Sequence, residues 1–171
     1  MIELPARSNW IATASALQED FYAASNAIDG RMDTRWSTPP TDPQWLQIDL
    51  GRVATVCGLT LFWEAAFASE YNIEVSENGT NWTQVYEQKN GDGNSDDINF
   101  APILARYIKI NGTKRGTGWG YSIWDVDVKG PSEQVVVNAL SQPGHEASKL
   151  VDGSLDTSWI AAQRCSSRTR S

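Results

Sequence analysis

The chain has 171 residues, a formal net charge of −7 and eight tryptophans, with 40% of its residues hydrophobic. This length holds one domain with a real core plus a remnant, and the composition is that of a folded globular protein rather than a disordered one. The negative balance argues against nucleic acid and anionic lipid surfaces, which are gripped by clustered Lys and Arg, and the longest apolar run, Val53 to Trp63, is far short of the roughly 20 residues a membrane helix needs.

The N-terminus "MIELPARSNW" lacks an apolar stretch of the secretory kind. "FYAASNAI" (Phe21 to Ile28) reads as a short helical turn. Beyond it, alternation of period two recurs in short runs: "QWLQIDL" up to Leu50, "GLTLFW" up to Trp63, "YNIEVS" from Tyr71 to Ser76, "WTQVYE", "RYIKI" and "YSIWDVDV". Short alternating strands separated by turn residues predict an antiparallel sandwich or barrel. "ENGTNW" around Asn78 and Gly79 supplies a hairpin turn, and "NGDGNSDD" (Asn90 to Asp97) a polar loop. The fold class is all-β. Cys57, inside an apolar run, reads as a small buried hydrophobe rather than as a disulfide partner of the distant Cys165.

The segment from Ala16 to Trp36 repeats without gaps from Ala139 to Trp159. Nine positions are identical: Ala16, Leu17, Ala24, Ser25, Asp29, Gly30, Asp33, Thr34 and Trp36. A repeat distance of 123 residues means tandem whole domains, not a solenoid. The expected organisation is a complete domain over 9–130, the truncated start of a second over 131–160, and a non-native or disordered Arg/Ser-rich tail over 161–171. The second copy offers Asp152 and Thr157 but no late strand to complete its motif.

In "NAIDGRMDTRW" an Asp-Gly turn is followed five residues after the Asp by Thr34, whose hydroxyl and carbonyl can meet the Asp29 carboxylate. Converging oxygens of this kind are what Ca²⁺ takes. An Asx-type turn that caps its own backbone is the competing reading. Among the tryptophans, Trp36, Trp45, Trp82 and Trp124 read as core, while Trp10 and Trp63 are undecided. Trp119 lies between glycines in "KRGTGWGY", either as a stacking platform for the apolar face of a sugar or folded back as a lid on the sandwich. With His145 the only histidine and outside the complete domain, no Ser/His/Asp set can be assembled within it. The sequons at Asn78, Asn81 and Asn111 are explained more simply by hairpin turns.

The blocks "ASNAIDGRMDTRWST", "QWLQIDLG", "YNIEVSENGTNWTQV", "ARYIKI" and "GYSIWDVDVKG", in this order, resemble a discoidin, or coagulation factor 5/8 type C, domain of the family 32 carbohydrate-binding kind. The resemblance implies a jelly-roll β-sandwich. It also implies one structural calcium ion held by carbonyls of Asn26, Arg31 and Trp124, the carboxylates of Asp29 and Asp125, and the hydroxyl and carbonyl of Thr34. The family usually has Glu where this chain has Asp125. For ligand binding, the resemblance points to loops at one end of the sandwich: Glu19, Asp42, Trp63, Glu64, Trp119 and Tyr121. Their acidic character is suited to a gluco-configured chain such as chitosan or β-glucan. The implied protein is a non-catalytic, monomeric module of a larger secreted glycan-degrading enzyme, alongside a tandem homologue, with oligo- or polysaccharide as its partner. The alternative is a discoidin-type adhesion module that binds protein or lipid.

Overall fold

The computed structural model describes residues 1–131 and the backbone of 165–167. Expectations for the second domain copy over 131–160 and for most of the tail lie outside the described residues. The strands are β1 (Ile11–Ala14), β2 (Trp36–Ser37), β3 (Gln44–Trp63), β4 (Ala68–Ser76), β5 (Thr83–Gln88), β6 (Ser95–Arg115), β7 (Ser122–Pro131) and β8 (Cys165–Ser167). They form an antiparallel sheet in the order β2-β7-β3-β6-β4-β5, with β1 also on β3 and β8 also on β7. The predicted turn over 21–28 is two short 3₁₀ segments, Asp20–Tyr22 and Ala24–Ile28.

Two long strands create both layers of the jelly-roll sandwich. The N-terminal part of β3 pairs with β1 and with Tyr107 to Gly112 of β6, whereas its C-terminal part pairs with β7 and with Ser95 to Ala105 of β6. Register shifts between Asp49 and Ala54 and between Val56 and Gly58 bend β3 from one layer into the other. At the first bend Gly51 takes φ +86°, the left-handed region that a residue with a Cβ rarely enters. The sequence reading had two strands here. One continuous bent strand takes their place because the polar stretch Gly51–Arg52 is a bulge, not a connection.

Alternation fixes the core. Leu46, Ile48 and Leu50 of β3, Tyr71, Ile73 and Val75 of β4, and Ile108 and Ile110 of β6 all face inward at 2% exposure or less. The same parity turns Trp45 outward, which corrects its expected place in the core. Trp82 and Trp124 are likewise only half-buried, and of the four tryptophans read as core only Trp36, at 1% exposure, is fully enclosed. On the outer face, the Lys109 ammonium lies 3.8 Å above the Trp82 ring and 5.8 Å from that of Trp45, a cation–π arrangement that covers both indoles without burying them. Cys57 is buried but disulfide-bonded, not the free thiol expected. Sequence distance misleads here because β8, which carries Cys165, lies on β7, the neighbour of β3.

One surface pair makes a pH prediction. Arg106 donates through Nε and Nη2 to the two oxygens of Asp49, at 2.8 and 2.9 Å. This hydrogen bonding holds the Asp49 carboxyl below the usual carboxylate range. A depressed folded-state value adds stability above the unfolded-state value, and this is lost as pH falls through the folded one. Arg106→Met should therefore lower the thermal midpoint at neutral pH, with the deficit closing as pH drops below about 4. Paired melts across that range check it.

Candidate functional site

A groove of about 360 Å³ opens at one end of the sandwich, where four chain segments meet. Gln18 and Arg35 form one wall, Ser37, Thr38 and Pro40 the floor, Glu64 to Ala66 the opposite wall, and Trp119 with Gly120 the rim.

Backbone pairing holds these loops together. The Thr38 N–H donates to the Tyr121 carbonyl at 2.9 Å, and the Tyr121 N–H donates back to Thr38 Oγ1 at 2.9 Å. The Glu64 N–H donates to the Ser122 carbonyl at 2.9 Å, and the Ser122 N–H to the Ala66 carbonyl at 2.7 Å. The Gln18 N–H reaches the Ser37 carbonyl at 2.8 Å, which sets the far wall. Gly120 is required at the crossing, since a Cβ there would fall 2.0 Å from the Thr38 carbonyl oxygen.

Of the six residues expected to touch ligand, Glu64 and Trp119 line the groove. Trp119 is 72% exposed, the most exposed of the large hydrophobic residues among those described, so it is a rim and not a lid. One Glu64 oxygen accepts from the Ala66 N–H at 3.0 Å, which fixes the carboxylate beside the groove. Asp42 and Tyr121 sit beneath. The Tyr121 hydroxyl donates to Asp42, and Arg115 Nε lies 3.2 Å from both Asp42 oxygens. Arg115 Nη1 also donates to the carbonyls of Gly118 and Trp119, at 3.4 Å each. The trio is thus a brace for the Trp119 loop. Burial, then the Asp42 carboxylate, pushes the Tyr121 hydroxyl well above its ordinary value, so it stays a donor.

Trp63 is 5% exposed, and its indole N–H donates to Asp96 at 2.8 Å. It lines a neighbouring depression with Phe67, Asn94 and Trp124, on the other side of the Glu64–Ala65 ridge. Glu19 is exposed, next to Gln18 but not on the wall. Gln18, Arg35 and Thr38 are wall and floor residues that the sequence reading did not single out. Arg35 precedes β2, whose two residues Trp36 and Ser37 are both buried, so alternation carried no signal for it. Its guanidinium packs on Tyr22 at 4.5 Å and Trp124 at 5.3 Å and donates to the Tyr22 hydroxyl at 3.0 Å.

The side chains expected to hold calcium already have partners within the protein. In the loop, Asp29 accepts from the Thr34 hydroxyl at 2.6 Å and from the Arg31 N–H at 2.8 Å, a closed Asx-type turn. The Asn26 amide is spent on the carbonyls of Phe21 and Arg35. Asp125 is fully buried and ion-paired to Arg7. No group of three or more His, Cys, Asp or Glu among the described residues could hold a metal. With Asp29 hydrogen-bonded inside its own loop and Asp125 ion-paired to Arg7, neither of the two expected carboxylates is open to a metal in this arrangement.

The sequence profile of the F5/8 type C domain matches residues 11–126. The chain belongs to this family. Chitosan-binding module 1 of a chitosanase/glucanase from Paenibacillus sp. IK-5 is 46% identical, with a TM-score of 0.69 over 71% of this chain and 96% of that one. Module 2 of the same enzyme, solved in complex with chitotriose, is 37% identical, with a TM-score of 0.68 over 70% and 95%. The family 32 carbohydrate-binding module of C. perfringens NanJ, in complex with galactose, is 31% identical, with a TM-score of 0.66 over 74% and 97%. This F5/8 type C domain is thus similar to whole carbohydrate-binding modules, whereas the chain spans only 4% to 20% of the length of the curated proteins it matches.

Proposed function

We propose that this F5/8 type C domain is a non-catalytic module that binds a gluco-configured polysaccharide, with glucosamine chains of the chitosan type as its ligand. The observation that carries the reading is an indole, 72% exposed, that lines the same groove as the Glu64 carboxylate. A pyranose ring laid on Trp119 removes apolar surface from water on both sides. Glu64 then accepts a hydrogen bond from the C2 ammonium, a charge-assisted bond of the strong class. Gln18 and Thr38 supply neutral polar groups for ring hydroxyls. Identity of 46% to one chitosan-binding module, and of 37% to another solved with chitotriose, supports the choice of sugar.

The proposed biological role is to hold a larger secreted glycan-degrading enzyme on its polysaccharide. The repeat beginning near Pro131 fits a tandem arrangement in which weak single sites gain through effective concentration.

Isothermal titration with chitotriose tests the site. Glu64→Gln should weaken binding roughly tenfold or more, as expected for loss of a hydrogen bond to a charged group. Binding by the parent should weaken with added salt because the pair lies at the surface. Equal affinity of Glu64→Gln and parent would remove the carboxylate from the account. Liposome co-sedimentation separates the adhesion alternative: binding to vesicles without heat on sugar would favour that reading.

A further inference from the structure

Asp125 has no exposed surface, and a buried carboxylate persists only when its charge is matched and its oxygens are bonded. The match comes from Arg7, near the N-terminus, whose Nη2 donates to Asp125 Oδ1. The same guanidinium is fixed at two further points: Nε donates to the Ile28 carbonyl at 2.6 Å, and Nη2 to the Val126 carbonyl at 3.1 Å. Ile28 opens the "IDGRMDT" loop, and Asp125 and Val126 belong to β7. Arg7 therefore joins the first loop to the last strand, the two elements that the calcium of the family resemblance was expected to join. Its planar fork suits this task, since three donations to a carboxylate and two carbonyls need a rigid, permanently charged donor.

We propose that Arg7 is an internal cation that takes the place of calcium in this domain, so that the fold is stable without the metal. A calcium ion drawing on Asp125 would sit next to the guanidinium and share one short carboxylate with it. With Asp29 closed on Thr34 and Arg31, the loop also carries its own turn without an ion. The inference is independent of which sugar the groove takes.

Thermal unfolding of the full chain in excess EGTA and in millimolar CaCl₂ tests it. The expected result is the same midpoint in both, within about 1 °C. In calorimetric titration the chain should bind calcium more weakly than about 1 mM, the weak end of the range for extracellular modules. Arg7→Met should lower the midpoint by at least about 5 °C, because it removes the guanidinium charge that matches a buried carboxylate. The double variant Arg7→Met, Asp125→Glu frees a longer carboxylate and should gain a midpoint that rises with calcium. A parent midpoint that rises by more than about 5 °C with calcium overturns the proposal, even if Arg7→Met fails to fold. An unchanged midpoint for Arg7→Met overturns it equally.

Discussion

Trp119→Ala is expected to weaken binding of chitotriose by ten- to a hundred-fold while leaving the thermal midpoint within about 1 °C. The two halves of this result have separate causes. Because 72% of the Trp119 surface is already in water, truncation removes little packing and opens no cavity. In the complex, the indole would cover half of its roughly 200 Å² against a sugar face, and at about 25 cal/mol per Å² that is on the order of 2 kcal/mol. Each 1.4 kcal/mol is about tenfold in affinity. Trp119→Phe keeps a smaller ring and should fall in between. Calorimetry on the three proteins gives the affinities, and circular dichroism melts give the midpoints.

The second large effect concerns the residue that presents Trp119. Gly120→Ala would place a methyl 2.0 Å from the Thr38 carbonyl oxygen and 2.7 Å from both the Pro39 carbonyl oxygen and Thr38 Oγ1. None of these atoms can retreat freely, since the paired bonds between Thr38 and Tyr121 fix the two backbones against each other. The backbone must open, at an expected cost of about 3 kcal/mol or more, the upper end for inserted bulk in a packed site. Affinity should fall along with stability, because the shift moves Trp119 relative to Glu64. Gly118→Ala is the internal control. No atom lies within 4 Å of the Cβ it would add, and it should stay within about 0.5 kcal/mol of the parent. Urea melts read both. A neutral Gly120→Ala would mean that the loop crossing is looser than described.

Much of this architecture was legible before any coordinates. The period-two runs are the strands, and Trp119 between glycines is exposed. The blocks that carry the family resemblance lie within the profile match, apart from the last four residues of the final block. Less legible was what depends on contacts between distant segments. Asp42 looked like a free acid at the ligand, but its partners Arg115 and Tyr121 lie more than 70 positions away. Trp63 looked available because it ends a strand, yet Asp96 from the start of β6 takes its N–H. That start was itself read as loop, since Asp96 and Asp97 hide a strand whose inward residue is Ile98. Trp45 was a different kind of error. Its neighbours Leu46, Ile48 and Leu50 define the inward face, so strict alternation already turned it out, and the habit of burying tryptophan overrode the pattern.

Arg35 adds a specificity feature to the groove. Its guanidinium lies over the Tyr22 and Trp124 rings, so the groove lined by the Glu64 carboxylate also carries a positive group. Sugars that place an ammonium toward Glu64 and hydroxyls toward Arg35 suit this polarity, and those presenting the reverse do not.

If chitotriose binds in the groove, amide and indole shift mapping during its titration should move the Trp119 indole N–H most, together with the amides of Gln18, Thr38, Glu64 and Gly120, while the signals of Trp45, Trp82 and Lys109 on the outer sheet face stay in place. Shifts confined to that sheet face, or none at saturating sugar, would contradict binding in the groove.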